Sequence, residues 1–285
     1  MRRALMMGIV MALCACRPSG VVQVEPRPDA SASANASANA NANASASASA
    51  SADAPRVATD WCIDGMTALD EDVCYVLPAL REGPRRLLVY LHGIVPPTAV
   101  SVQKQTVQGA VLAAATRAGA AAIVPRGRRG IGPKGAHDWY AWPTDPATHA
   151  QLVKEIVARW VAAKKKLEGM TGAPFVRTYL AGSSNGAYFL SALAMRGDCD
   201  ALEFPIDGYG AMSGGAPGGR APSGAPHPLY IGYGAYDAES KGSARALAAV
   251  ATAAHWPVRL AEHPFGHGAR EVYLDEGFVF WDAAR

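Results

Sequence analysis

From Trp61 onward, short continuous apolar runs alternate with longer stretches of helical periodicity, and this alternation restricts the fold more than any other feature of the chain. The runs Val73–Leu77, Leu87–Leu91, Ala121–Pro125, Val176–Ala181, Ile206–Met212, Leu229–Tyr233 and Val258–Ala261 read as strands. Their apolarity is continuous rather than alternating, which means burial on both faces, as in a parallel sheet covered by helices. Helices are expected near residues 101–118, 146–168, 185–196, 241–254 and 269–284. In the second of these, Pro146 suits the first turn and Lys164, Lys165 and Lys166 suit the last. The pattern predicts one α/β domain over residues 57–285. Its core is a single doubly wound, mostly parallel sheet with helices on both faces.

The preceding residues cannot build such a core. Arg2 and Arg3 lead into an apolar run from Ala4 to Leu13, the layout of an export signal, too short to span a ~30 Å hydrocarbon core. The stretch Leu13-Cys14-Ala15-Cys16 resembles the lipobox of bacterial lipoproteins. That resemblance implies a signal peptide of residues 1–15, cleavage before Cys16, and lipid on Cys16; the alternative is an ordinary secretory signal with unrelated cysteines. Residues 16–56 read as a disordered tether, because Ala30 to Ala52 alternates Ala with Ser or Asn and has no side chain large enough to offset the entropy of ordering. As a coil of some 40 residues it would hold the domain roughly 35 Å from its lipid. The expected location is the bacterial cell envelope, lipid-anchored, facing periplasm or medium.

Charge and cysteines narrow the partners. The net charge of +3 includes Arg2 and Arg3 of the leader, so the rest is nearly balanced and nucleic acid is excluded as a partner. Cys62 and Cys74 bracket a short Gly-containing segment and are candidates for a disulfide in an oxidising compartment. Cys199 is left to pack as a small apolar residue. No Cys-x-x-Cys spacing points to zinc, and no metal or cofactor is expected.

The chemistry concentrates in Gly182-Ser183-Ser184-Asn185-Gly186, a G-x-S-x-G set between an expected strand and an expected helix. In such a turn the central serine is lifted above the sheet in a strained conformation, and small neighbours are needed on either side. Ser184 is therefore the candidate nucleophile, with a helix N-terminus behind it that favours developing negative charge. A serine hydroxyl needs a base, and the base a carboxylate. Asp237 follows the run PLYIGYGAY, and His267 lies in EHPFGHGAR after the last expected strand. The rivals are weaker. His263 stands four residues before His267, but Pro264 and Gly266 rule against a metal-binding helix; His92 reads as a loop organiser. Asp207 precedes its strand, and Asp275 and Asp282 fall on the last helix.

Together these pieces, with YLHG at Tyr90–Gly93, GAYD at Gly234–Asp237 and GHG at Gly266–Gly268, resemble the α/β-hydrolase superfamily. Within it the chain is similar to esterases of the polyhydroxybutyrate depolymerase, feruloyl esterase and dienelactone-hydrolase-like groups. The resemblance covers roughly residues 70 to 285, and the order Ser184, Asp237, His267 matches that superfamily. It implies a Ser-His-Asp triad and two backbone oxyanion donors, carried here by Ile94 and Asn185. Leu91-His92-Gly93-Ile94 stands in place of the HGGG run of lipase-like members, which leaves the first donor open by about one residue.

A loop from Arg126 to Trp142 remains. Its Gly130–Gly135 segment satisfies G-x-G-x-x-G, but Arg126–Arg129 separate it from the strand, Pro133 interrupts it, and no helical pattern follows, which argues against a dinucleotide site. Trp139, Tyr140 and Trp142 are candidate pocket residues, and the loop's cations could attract an anionic substrate. The alternative is that the aromatics cover the core and the cations are solvated. The reading is a serine hydrolase acting on carboxylic esters of small molecules or polymers through an acyl-enzyme. A peptidase or thioesterase on the same fold is the first alternative, and a tethered binding protein without turnover the second.

Overall fold

A computed structural model describes residues 59–78, 85–218 and 222–284. Eight strands form one sheet: β1 (Thr67–Asp70), β2 (Val73–Val76), β3 (Arg86–Leu91), β4 (Ala121–Pro125), β5 (Arg177–Ser183), β6 (Gly208–Met212), β7 (Leu229–Gly234) and β8 (Val258–His263). Their order across the sheet is β1-β2-β4-β3-β5-β6-β7-β8. From β4 to β8 every pairing is parallel, whereas β1 with β2 and β2 with β4 are antiparallel. The helices are α1 (Val102–Ala118), α2 (Pro146–Thr171), α3 (Asn185–Arg196), α4 (Asp198–Ala201), α5 (Lys241–Ala253) and α6 (Glu271–Ala283).

The continuous apolar runs are explained by two cores, one on each face. Along β3, Leu87, Val89 and Leu91 enter the core under α2, α3 and α5, while Leu88 and Tyr90 enter the one under α1 and α6. Strand β4 divides the same way, with Ala121 and Ile123 on one side and Ala122 and Val124 on the other. Neither face of these strands meets water, so period-two polarity is absent.

The winding sets the position of the site. After β3 the chain crosses through α1 to β4 on one side, and β5 returns to the other side of β3. The order reverses at β3, and a crevice opens beyond the carboxyl ends of β3 and β5, where such sheets bind ligands.

Helix ends follow their local chemistry. Asp145 caps α2, accepting from the Ala147 and Thr148 N–H groups at 3.0 and 3.1 Å, with Pro146 beginning the helix. The other end differs from expectation. α2 continues to Thr171 and stops at Gly172 in the left-handed region (φ 70°), so Lys164, Lys165 and Lys166 sit before the last turn. Lys164 pairs with Glu168 at 3.5 Å, and Lys166 donates to the Leu69 carbonyl.

Neither β1 nor α4 is visible in the apolar pattern. β1 is a short edge strand paired on one side, and α4 is a single turn. Cys62 and Cys74 are joined by a disulfide with 5.4 Å between their Cα atoms, and Cys199 is free and buried, its thiol pushed up to about 12 by burial. The expected export signal, Cys16 and the expected tether lie outside the described residues.

Candidate active site

Ser184 occupies the turn between β5 and α3 with φ 51° and ψ −122°. That region is unfavourable for a residue with a Cβ and costs on the order of 1–3 kcal/mol. Two close approaches hold it there. A Cβ added at Gly182 would lie 2.8 Å from the Leu91 carbonyl oxygen; at Gly186 it would lie 2.3 Å from that atom and 2.6 Å from the His92 oxygen. The glycines therefore let the start of α3 press against the end of β3. This contact brings Gly93 and Ile94 beside the serine.

The structure joins Ser184, His267 and Asp237 in one hydrogen-bonded chain. Ser184 Oγ and His267 Nε2 are 2.9 Å apart, and His267 Nδ1 and Asp237 Oδ2 are also 2.9 Å apart. With Nδ1–H donating to the carboxylate, Nε2 is left to accept from the serine hydroxyl; this tautomer follows from the network. The three come from separate places: the turn after β5, the turn after β7, and the loop after β8. Asp237 is 1% exposed. Burial alone would raise its carboxyl, but hydrogen bonds from Ser240 Oγ, His267 and the Ser240 N–H hold it below the usual carboxylate range. Such a chain suits proton removal from a serine as it attacks a carbonyl.

The expected oxyanion donors border the same serine. Ile94 and Asn185 line a cleft with Ser184, and among the described residues neither backbone N–H donates a hydrogen bond within the protein. Asn185 also has a side-chain role that its position did not reveal: Oδ1 accepts the Trp142 N–H at 2.6 Å, and Nδ2 donates to the Trp142 carbonyl at 3.3 Å. Behind Ile94, His92 is fully buried and held neutral, its pKa lowered by burial to about 4. Its Nδ1 bonds the Gly93 carbonyl, and its Nε2 accepts the Gly127 N–H at 2.8 Å. His92 thus organises the loop, as its position suggested.

The three expected pocket aromatics do not line the clefts at Ser184. Trp142 is 2% exposed, stacks on Phe189 at 5.9 Å between ring centroids, and donates through Nε1 to the His92 carbonyl. It supports the site from below. Tyr140 packs between Trp61 and Arg126, and neither it nor Trp139 lines the clefts at Ser184. The loop arginines are also engaged. Arg126 bonds Asp72 and Asp60, Arg128 bonds Glu155, and Arg129 donates to the Asp138 carbonyl.

Two clefts meet at Ser184 and Ile94. The larger, about 480 Å³, follows α3 past Asn185, Tyr188, Ala192 and Met195 to Arg196, with Thr144 and Pro217 opposite. The smaller, about 320 Å³, lies between the start of α1 and the start of α6, and includes His267 and Arg270. Sequence reasoning missed these liners. The spacing of Asn185, Tyr188, Ala192 and Arg196 along one side of a helix was the available signal.

The other candidates fall elsewhere. His263 ends β8 and faces Glu276 at 3.5 Å; Asp207 accepts the Thr178 N–H at the opposite end of β5 from Ser184. Asp275 pairs with Arg117, and Asp282 with Arg86. Gly130–Gly135 is irregular loop with no helix after it.

Sheet order, the strained serine turn and the placement of the two loops define the α/β-hydrolase fold. Solved structures agree. The chain is similar to a carboxylesterase of Bacillus cereus (16% identity, 77% of this chain and 95% of that one, TM-score 0.53). It is also similar to esterase PE8 (17% identity, 73% and 96%, TM-score 0.51) and to an arylesterase (10% identity, 74% and 80%, TM-score 0.51). At these identities the shared property is the fold. No protein-family model matches the sequence, and no curated protein does.

Proposed function

We propose that the protein is a serine hydrolase that cleaves carboxylic esters through an acyl-enzyme. The observation that carries this reading is the unbroken chain from Ser184 through His267 to buried Asp237, with the serine in a strained turn at the mouth of two clefts. His267 Nε2 takes the Ser184 proton as Oγ attacks the ester carbonyl. The oxyanion is held by the N–H groups of Ile94 and Asn185. The imidazolium returns its proton to the departing alcohol, and a water activated by the same imidazole then releases the acid and restores Ser184. Asp237, ionised and fixed by Ser240, stabilises the imidazolium. The similar solved structures described as esterases support this substrate class. The exported, Cys16-anchored placement is part of the proposal; a disulfide at Cys62–Cys74 suits an oxidising compartment.

Burst kinetics on short-chain p-nitrophenyl esters test it, comparing the full chain with Ser184→Ala. The expected result is a stoichiometric burst and turnover that collapse in the variant. Equal signals from both proteins would remove Ser184 as nucleophile. Labelling of Ser184 by a fluorophosphonate without ester turnover would move the substrate to amides or thioesters. No labelling would favour a binding protein.

A further inference from the structure

The smaller cleft has an electrostatic character that the ester reading does not use. It is lined by Ile94, Val102, Thr106, Ser184, His267 and Arg270, among others, and none of its lining residues is acidic. Arg270 lies three residues after His267. Its Nε is buried without a hydrogen-bond partner, and its guanidinium sits over the Phe265 ring at 5.5 Å. Among the described residues it makes no ion pair. The nearest sequence acid, Glu271, is taken by Arg117 at 2.8 Å, and Asp237 by His267. The N-termini of α1 and α6 open on the same space, and Arg270 precedes the first residue of α6, which has no side-chain cap. Their dipoles add positive potential.

Mechanism decides which part of an ester meets this potential. The leaving oxygen must receive its proton from His267 Nε2, and His267 lines the smaller cleft and not the one along α3. The alcohol side therefore occupies the smaller cleft. The acyl chain runs along α3 past Tyr188, Ala192 and Met195.

Resting on the ester-hydrolase reading, we propose that the preferred substrates are esters whose leaving alcohol carries a carboxylate, bound by Arg270. The products are then a carboxylic acid and a hydroxy acid. A guanidinium presents a planar fork that matches a carboxylate and holds it bidentately.

The test compares 3-(butanoyloxy)benzoate with its neutral methyl ester, using the full chain. Each kcat/KM is divided by that ester's hydroxide-catalysed rate to remove intrinsic reactivity. The expected ratio favours the anion by roughly tenfold, falls toward one in Arg270→Gln, and is partly kept in Arg270→Lys, which retains charge but not the fork. Added salt should reduce the wild-type ratio. Because both esters are measured on each variant, a general loss of folding cancels. A wild-type ratio at or below one, or an unchanged ratio in Arg270→Gln, overturns the inference. If the neutral ester is still cleaved in a Ser184-dependent way, the hydrolase reading survives that result; cleavage of neither ester overturns both.

Discussion

Asn185 grips the main chain of Trp142 from both sides, accepting its N–H at 2.6 Å and donating to its carbonyl at 3.3 Å. The residue whose backbone is proposed to hold the oxyanion thus also ties α3 to the loop beneath the site. Asn185→Ala keeps the backbone donor but leaves both Trp142 groups without their partner. The expected cost is about 1–3 kcal/mol of stability. On p-nitrophenyl esters, kcat should fall more than KM rises, because the oxyanion is held mainly in the transition state. Urea unfolding and steady-state kinetics on the same preparation check both; a variant with wild-type kcat would show that the grip on Trp142 is not needed to position the backbone donor.

His92 makes stability depend on pH. Burial lowers its folded pKa to about 4, below the ordinary value near 6.5, so the unfolded chain binds the extra proton first. Its contribution is complete above about pH 6.5 and shrinks as pH falls toward 4, by about 3 kcal/mol across that window. The urea midpoint should drop between pH 7 and pH 4.5. In His92→Gln, which can still accept the Gly127 N–H, the drop should be smaller. Parallel curves would mean that another group titrates.

The disulfide holds more than its own loop. Cys62 follows Trp61, whose ring lies 5.0 Å from that of His92 and whose Nε1 donates to the Val124 carbonyl at 3.0 Å. Closing so short a loop removes about 3 kcal/mol of unfolded-state entropy. Cys62→Ala with Cys74→Ala should lower Tm by several degrees. Dithiothreitol should destabilise the wild type and leave the double variant unchanged; equal sensitivity of the two would show that the bond is absent in solution.

The proposed membrane placement rests on lipid at Cys16. Metabolic labelling with palmitate in a bacterial host should mark the wild-type chain and not Cys16→Ala, and the variant should partition with soluble protein. No label in the wild type would reduce the leader to an ordinary secretory signal, and label retained in the variant would place the lipid on another residue.

Much of this architecture was written in side-chain pattern. Five of the strands, β3 to β7, announce themselves because both faces of each are apolar, whereas β8 is a half-exposed edge strand; the serine turn does so because only glycine tolerates the approach of Leu91 and His92. Asp237 and His267 were legible from order along the chain. What stayed hidden depends on contacts distant in sequence. Trp142 reads as a pocket aromatic until Phe189, Trp160 and His92 close around it. Arg126 and Arg128 read as free cations until Asp72 and Glu155 meet them. Arg270 gave no local signal, since its place in the smaller cleft depends on β3, α1 and the His267 loop arriving together.

Helix α3 turns two unlike sides to its surroundings: Ala187, Phe189, Leu190, Leu193 and Ala194 are buried in the core, while Asn185, Tyr188, Ala192 and Arg196 line the larger cleft. Its inward side is constrained by close packing, and any change of volume there is felt by the whole domain. Its outward side is held at Asn185 by Trp142 and at Tyr188 by Ser243, but not at Ala192. Under the proposed function, substrate range can therefore drift through Ala192 at little thermodynamic expense, while Gly182, Ser184 and Gly186 stay fixed by geometry. A chain built this way can keep one chemistry and exchange its diet.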